Sequence, residues 1–130
     1  MSNKGKPKSW YRVNKFLRGV PFEKVSEVYS QCDILLKTSI LESFSYPPLE
    51  MMATGRFNVV LPNDGNVEYL KDEYNCLFYK IGNIDSAVKA IERLMSDKDL
   101  QERLYINGLD TAKKRDWSIH KEQILSLYDV

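Results

Sequence analysis

An α/β fold, with a parallel sheet and helices on both faces, is predicted by three observations. The runs DILLK (33–37), FNVVL (57–61) and CLFY (76–79) are short and continuously apolar, as strands buried on both faces are. Stretches with apolar residues at helical spacing stand between and after these runs. Clusters of Gly, Pro, Asn and Asp, such as Pro62-Asn63-Asp64-Gly65 and Gly82-Asn83, punctuate the two patterns. Strand and helix in alternation imply a parallel sheet, and its crossovers are then right-handed.

Taken in order, WYRVNKFL (10–17) alternates apolar and polar residues and predicts a first strand, broken at Arg18-Gly19-Val20-Pro21. Val25, Val28, Tyr29 and Cys32 then recur at helical spacing, with Pro21 in the first turn. DILLK follows. Leu49, Met52 and Ala53 form the stripe of the next helix, ended by Gly55. After FNVVL, a short helical turn is expected over Val67 to Leu70. CLFY gives about four strands in all. Asp85 or Ser86 is expected to cap an amphipathic helix that shares Ala87, Val88, Ile91, Leu94 and Met95 on one face. Two further helices are predicted, Asp99 to about Arg115, weakened by Asn107-Gly108, and Ile119 to about Tyr128.

At 130 residues, with 43% hydrophobic and 28% charged residues, the chain has the composition of one ordinary globular domain. A net charge of +1 and the lack of dense basic patches argue against a nucleic-acid partner. Residues 1–9, MSNKGKPKS, carry three lysines and read as a basic tail or linker; the alternative is a basic foot on an anionic membrane surface. No apolar run is long enough to span a bilayer. Cys32 and Cys76 sit in apolar contexts and are expected to be buried, reduced thiols; a disulfide between them is the alternative. One histidine and two isolated cysteines make no metal-ligand cluster. Asp97-Lys98-Asp99 falls between helices and reads as capping, His120 as a surface residue, and Trp10 and Trp117 as packing residues.

The segment ESFSYPPLE (42–50) joins a predicted strand end to a predicted helix start, where open α/β sheets bind ligands. Helix N-termini favour anions, but Pro47 and Pro48 have no N–H to offer, so any anion contact falls to the amides of Ser45 and Tyr46. Pro47 is expected to hold Tyr46 extended. Glu42 and Glu50 would repel a phosphate. As acceptors they suit the hydroxyls of a polyol, with charge-assisted bonds of about 1.5–3 kcal/mol each. Amides between carboxylates make a footprint for a nucleotide sugar. Chance spacing and an ordinary Ser-Pro helix start are the competing explanation.

These residues resemble the E-x7-E element of retaining glycosyltransferases of the GT-B fold, above all family four. The family text S-x-x-E-G-F-G-x-P-x-x-E-A-x-A-x-G is matched from Ser39 through Glu42, Phe44, Pro47, Glu50 and Ala53 to Gly55. FLRGV, followed by a helix and CDILL, resembles the upstream F-x-G-x-V and A-D-V-x-V. NVEYL, NCLFY, the following helix and DWS (116–118) resemble the downstream pattern. The resemblance implies that residues 10–130 form an incomplete C-terminal, Rossmann-like nucleotide-sugar-binding domain.

The resemblance also implies roles. Glu42 stands beside the donor sugar as the catalytic carboxylate, and Glu50 binds the ribose. Ser43, Phe44, Ser45 and Tyr46 form the donor turn, and the loop with Arg18 and Gly19 runs near the base. No metal or cofactor is implied; the nucleotide sugar is a substrate. Transfer with retention to a saccharide or lipid-linked acceptor, in polysaccharide biosynthesis in the cytoplasm or at the inner face of the membrane, is the expected activity. The family's acceptor domain and its pyrophosphate arginine and lysine lie upstream of the matched region, so the chain alone is expected to be inactive. Only Lys37 and Arg56 are near the motif in sequence to neutralise a diphosphate. An exposed strand edge is expected to favour self-association. Ser45 and Cys76 replace family glycines, the first tolerable if its φ stays negative. A non-catalytic nucleotide-binding or subunit-interaction module is the alternative.

Overall fold

The computed structural model describes residues 12–128, so the basic tail, Trp10 and Tyr11 lie outside the described residues. Chain order runs through a 3-10 turn (Phe22–Lys24), α1 (Val25–Ser30), β1 (Ile34–Lys37), α2 (Tyr46–Ala53), β2 (Phe57–Val60), β3 (Leu77–Phe78), α3 (Ile84–Ser96), α4 (Lys98–Lys114) and α5 (Trp117–Ser126). The sheet is parallel, in the order β1-β2-β3. Leu36 stands opposite Val59 and Lys37 opposite Val60, while Val59 and Val60 face Leu77 and Phe78 across the other edge.

Successive residues of β2 point to opposite faces, so each face has its own core. Val60 joins Met52 of α2 with Tyr69, Leu70 and Cys76. Val59 joins Leu77, Leu94 of α3, and Leu100 and Leu104 of α4. Helices therefore cover both faces, as predicted. Long α4 reaches both, because Ala112 near its end packs against the first cluster.

Several local expectations change. Residues 12–17 form no strand, since alternation cannot make one without a hydrogen-bonding neighbour and β1 pairs only with β2 among the described residues. The sheet thus has three strands. β1 is its edge, half-buried, with Leu36 exposed. Residues 64–69 make turns, tied by Val67 N–H to the Asn63 carbonyl (3.1 Å) and Leu70 N–H to that of Asn66 (2.9 Å), and do not form a helix. Asn83 caps α3 by accepting from Ser86 N–H at 2.9 Å; the expected caps fall inside the helix. Asp97 caps α4, accepting from Leu100 N–H at 2.9 Å. α4 runs straight through Asn107-Gly108, where buried Gly108 lets the helix approach Met52. Cys76 is buried but Cys32 is exposed at the end of α1, and Trp117 is 63% exposed at the start of α5. No described helix is long and apolar enough to cross a membrane.

Candidate functional site

The site is built where β1 ends. Its last residue, Lys37, is fixed by two donors to its carbonyl, Leu61 N–H (3.0 Å) and the Tyr79 hydroxyl (3.1 Å). Residues 38–45 then turn over the strand ends and enter α2. The turn is held from below by the 61–70 segment. Asn63 Nδ2 donates to the Ser39 carbonyl (2.9 Å), Ser45 N–H donates to the Gly65 carbonyl (2.9 Å), and the Tyr69 hydroxyl donates to the Ser45 carbonyl. Asn63 and Asn66 are themselves spent on backbone: Asn63 Oδ1 accepts from Gly65 N–H, and Asn66 bridges Asn63 N–H and the Leu61 carbonyl. Gly65 is required because a Cβ there would stand 2.4 Å from the Glu42 carbonyl oxygen.

Helix α2 starts at Tyr46 with both prolines in its first turn; the extended residue before it is Ser45 (φ −101°, ψ 92°), not Tyr46 as predicted. The negative φ explains why a serine fits where the family text has glycine. Ser45 is fully buried and its amide is occupied by Gly65. Of the two amides expected to face an anion, Tyr46 N–H remains, and the first position of a helix leaves it without an intrahelical acceptor.

Glu42 and Glu50 line one cleft of about 820 Å³, together with Arg18, Phe44 and Tyr46. Phe16, Leu17, Val20 and Phe22 line the same cleft. Phe44 packs edge-on against Tyr46 (4.7 Å between centroids) and lies tilted against Tyr69 (5.5 Å), so the aromatic part of the turn is supported. Ser43 is exposed and not among the cleft-lining residues, and Gly19 (φ +62°) shapes the loop between cleft-lining Arg18 and Val20. Arg56 is elsewhere: it bonds Asp33 (3.3 Å) and the Ser30 carbonyl at the amino ends of the strands. Glu68, also matched to the family text, pairs with Arg115 at 3.0 Å.

Two charged groups define the electrostatics. Glu42 is paired with Lys37, whose Nζ also donates to Ser39 Oγ at 3.0 Å. Burial pushes the Glu42 carboxyl up, but Lys37 and the neighbouring hydroxyls of Ser45 and Ser39 outweigh it and hold it below the ordinary carboxylate value. The Ser45 hydroxyl lies near this carboxylate, yet neither it nor Glu42 Oε2 completes a hydrogen bond. In the same cleft, the buried Tyr29 hydroxyl lies beside Glu50. Burial first, and the Glu50 charge second, push it up to about 12.

A carboxyl depressed in the folded state adds stability that is fully present above its unfolded value near 4.5 and lost as pH falls through the folded value. Below pH 4.5, wild type is therefore expected to lose a stability increment that Glu42→Gln never had. Urea midpoints between pH 3 and 7 check this, as convergence of the two curves at the acid end.

The family model for glycosyl transferases group 1 matches residues 13–111, nearly all of the sheet and its helices. The chain belongs to the glycosyl transferases group 1 family. A relative in this family, the N,N'-diacetylbacillosaminyl-diphospho-undecaprenol alpha-1,3-N-acetylgalactosaminyltransferase of Campylobacter jejuni, is 31% identical over 105 residues, 81% of the chain and 28% of that enzyme. Among solved structures, sucrose-phosphate synthase from Thermosynechococcus elongatus superposes with a TM-score of 0.79 at 22% identity, over 88% of the chain and 29% of that protein. HepE of Anabaena, solved in complex with UDP, superposes with a TM-score of 0.72 at 21% identity, over 78% of the chain and 29% of its own. The group 1 chain thus spans less than a third of each of these three proteins, and its fold is the Rossmann-like one of GT-B enzymes.

The residues that position this family member's turn were invisible to motif reading. Gly65, Asn63 and Tyr69 act through backbone contacts, and Tyr29 carries only the ordinary signature of a core helix position. The pairing of Lys37 with Glu42 had one available signal, a lysine ending an otherwise apolar strand.

Proposed function

We propose that this chain supplies the donor half of a glycosyltransferase that moves a sugar from a nucleotide sugar to a saccharide or lipid-linked acceptor with retention. The observation that carries the reading is the convergence of Glu42 and Glu50 on one cleft, with the start of α2 between them. In this reading Glu42 lies against the sugar, Glu50 accepts from the ribose hydroxyls, and Tyr46 N–H meets a phosphate oxygen. Phe44 and Ser45 hold the turn, Ser43 fronts it, and the Arg18–Gly19 loop borders the base. No metal or cofactor takes part. A UDP complex of a similar fold supports a nucleotide ligand. The diphospho-undecaprenol in the Campylobacter relative's name supports a lipid-linked acceptor.

Glu50→Gln tests the donor site. Losing a charge-assisted bond is expected to weaken nucleoside diphosphate binding about tenfold or more, while Glu122→Gln on exposed α5 leaves it unchanged. Amide shifts on titration should concentrate in residues 42–50. Equal responses from the two variants would discard the assignment.

A further inference from the structure

Two cations line the cleft. Arg18 stands on an exposed loop, whereas the Lys37 side chain is only 11% exposed and grows from the last residue of a strand. A half-buried lysine on a rigid element is well placed to hold a fixed anion. Its partner is Glu42, whose side chain is 22% exposed. The partnership is incomplete on both sides. An ammonium has three donors, and Lys37 uses two, on Glu42 Oε1 and Ser39 Oγ. A carboxylate accepts at both oxygens, yet Oε2 of Glu42 is buried and completes no hydrogen bond among the described residues, the nearby Ser45 hydroxyl included. Leaving such an acceptor unmet is unfavourable unless something in the cleft meets it.

We propose that Lys37 is the phosphate-binding cation of the cleft, parked on Glu42 until a ligand phosphate takes it. The same exchange frees Glu42 for ligand hydroxyls. The inference rests on the donor-site reading above and deepens it. A phosphate oxygen approaching Lys37 competes with Glu42 for the ammonium and repels the carboxylate. Glu42 then has two oxygens to satisfy, and polyol hydroxyls are donors at hand. A ligand that joins phosphate to hydroxyls meets both needs; inorganic diphosphate meets one and leaves a buried charge unpaired. Lys37 thereby contributes to selecting a nucleotide sugar over simpler anions.

The test uses the 130-residue chain with UDP, GDP and ADP, each beside its uncharged nucleoside, read by amide shifts at residues 42–50. Lys37→Gln is expected to weaken the preferred diphosphate at least about tenfold while changing nucleoside affinity less than about twofold. Lys37→Arg should restore most of the loss. Because Lys37→Gln leaves Glu42 unpaired, the double variant Lys37→Gln/Glu42→Gln, without either charge, provides the same comparison if the single one does not fold. Unchanged diphosphate affinity, with Glu50→Gln still weakening it about tenfold or more, overturns the role of Lys37 and leaves the donor site standing. Equal losses for diphosphate and nucleoside reduce Lys37 to a structural part, which also overturns it. If wild type binds no nucleoside diphosphate, the donor-site reading fails and the inference falls with it.

Discussion

Gly65→Ala is expected to destabilise the protein by about 3 kcal/mol and to displace Glu42. The added Cβ would meet the Glu42 carbonyl oxygen at 2.4 Å and its carbon at 2.8 Å. Real Cβ atoms do not come that close, and the obstacle is backbone, which cannot turn aside as a side-chain tip can. Overpacking of this kind costs about 1–3 kcal/mol, and backbone against backbone belongs at the upper end. Relief requires separating the 38–45 turn from the 61–70 segment. That stretches the bond from Ser45 N–H to the Gly65 carbonyl. Urea unfolding measures the stability loss, and the amide spectrum of residues 42–46 reports the displacement. A variant with wild-type stability and an unmoved turn would show that the two segments are not in contact.

Met52→Ala is expected to cost about 3–4 kcal/mol, a large part of a typical domain's stability. Met52 is 1% exposed and joins α2 to Val60, Leu70 and Cys76. Its Cγ is also the nearest atom, at 3.3 Å, to where Gly108 of α4 would carry a Cβ. Gly108→Ala in wild type therefore combines a gain of helix propensity near 1 kcal/mol with crowding of comparable size. In the Met52→Ala background the crowding is gone and the propensity gain remains. A double-mutant cycle by urea unfolding should give a favourable coupling of about 1 kcal/mol, and additivity would contradict the packing.

The central parts of the molecule were legible because they rest on local periodicity. Apolar runs marked β1 and β2, and the Leu49–Ala53 stripe with Gly55 marked α2, whose C-terminal turn has Gly55 at φ +71°. Pairing was less legible. Residues 12–17 have strand-like alternation, but a strand exists through its neighbour, and none among the described residues is hydrogen-bonded to them. Asn107-Gly108 looked like a break in α4 because propensity is read along one helix, whereas the glycine answers to Met52 on another. At the site, the convergence of Glu42 and Glu50 followed from their spacing across a strand–helix junction. The fate of the Ser45 amide did not, since its acceptor lies in another loop. Nor did the exposure of Cys32, whose apolar sequence neighbours do not cover it.

Arg115, near the end of α4, lies over the Tyr69 ring at 5.3 Å, and the Tyr69 hydroxyl reaches the Ser45 carbonyl. Three residues thus strut the corner that faces the cleft against the far end of the longest helix. The corner borrows its stiffness from that brace, so loosening the final turn of α4 would slacken the entrance to α2 from behind.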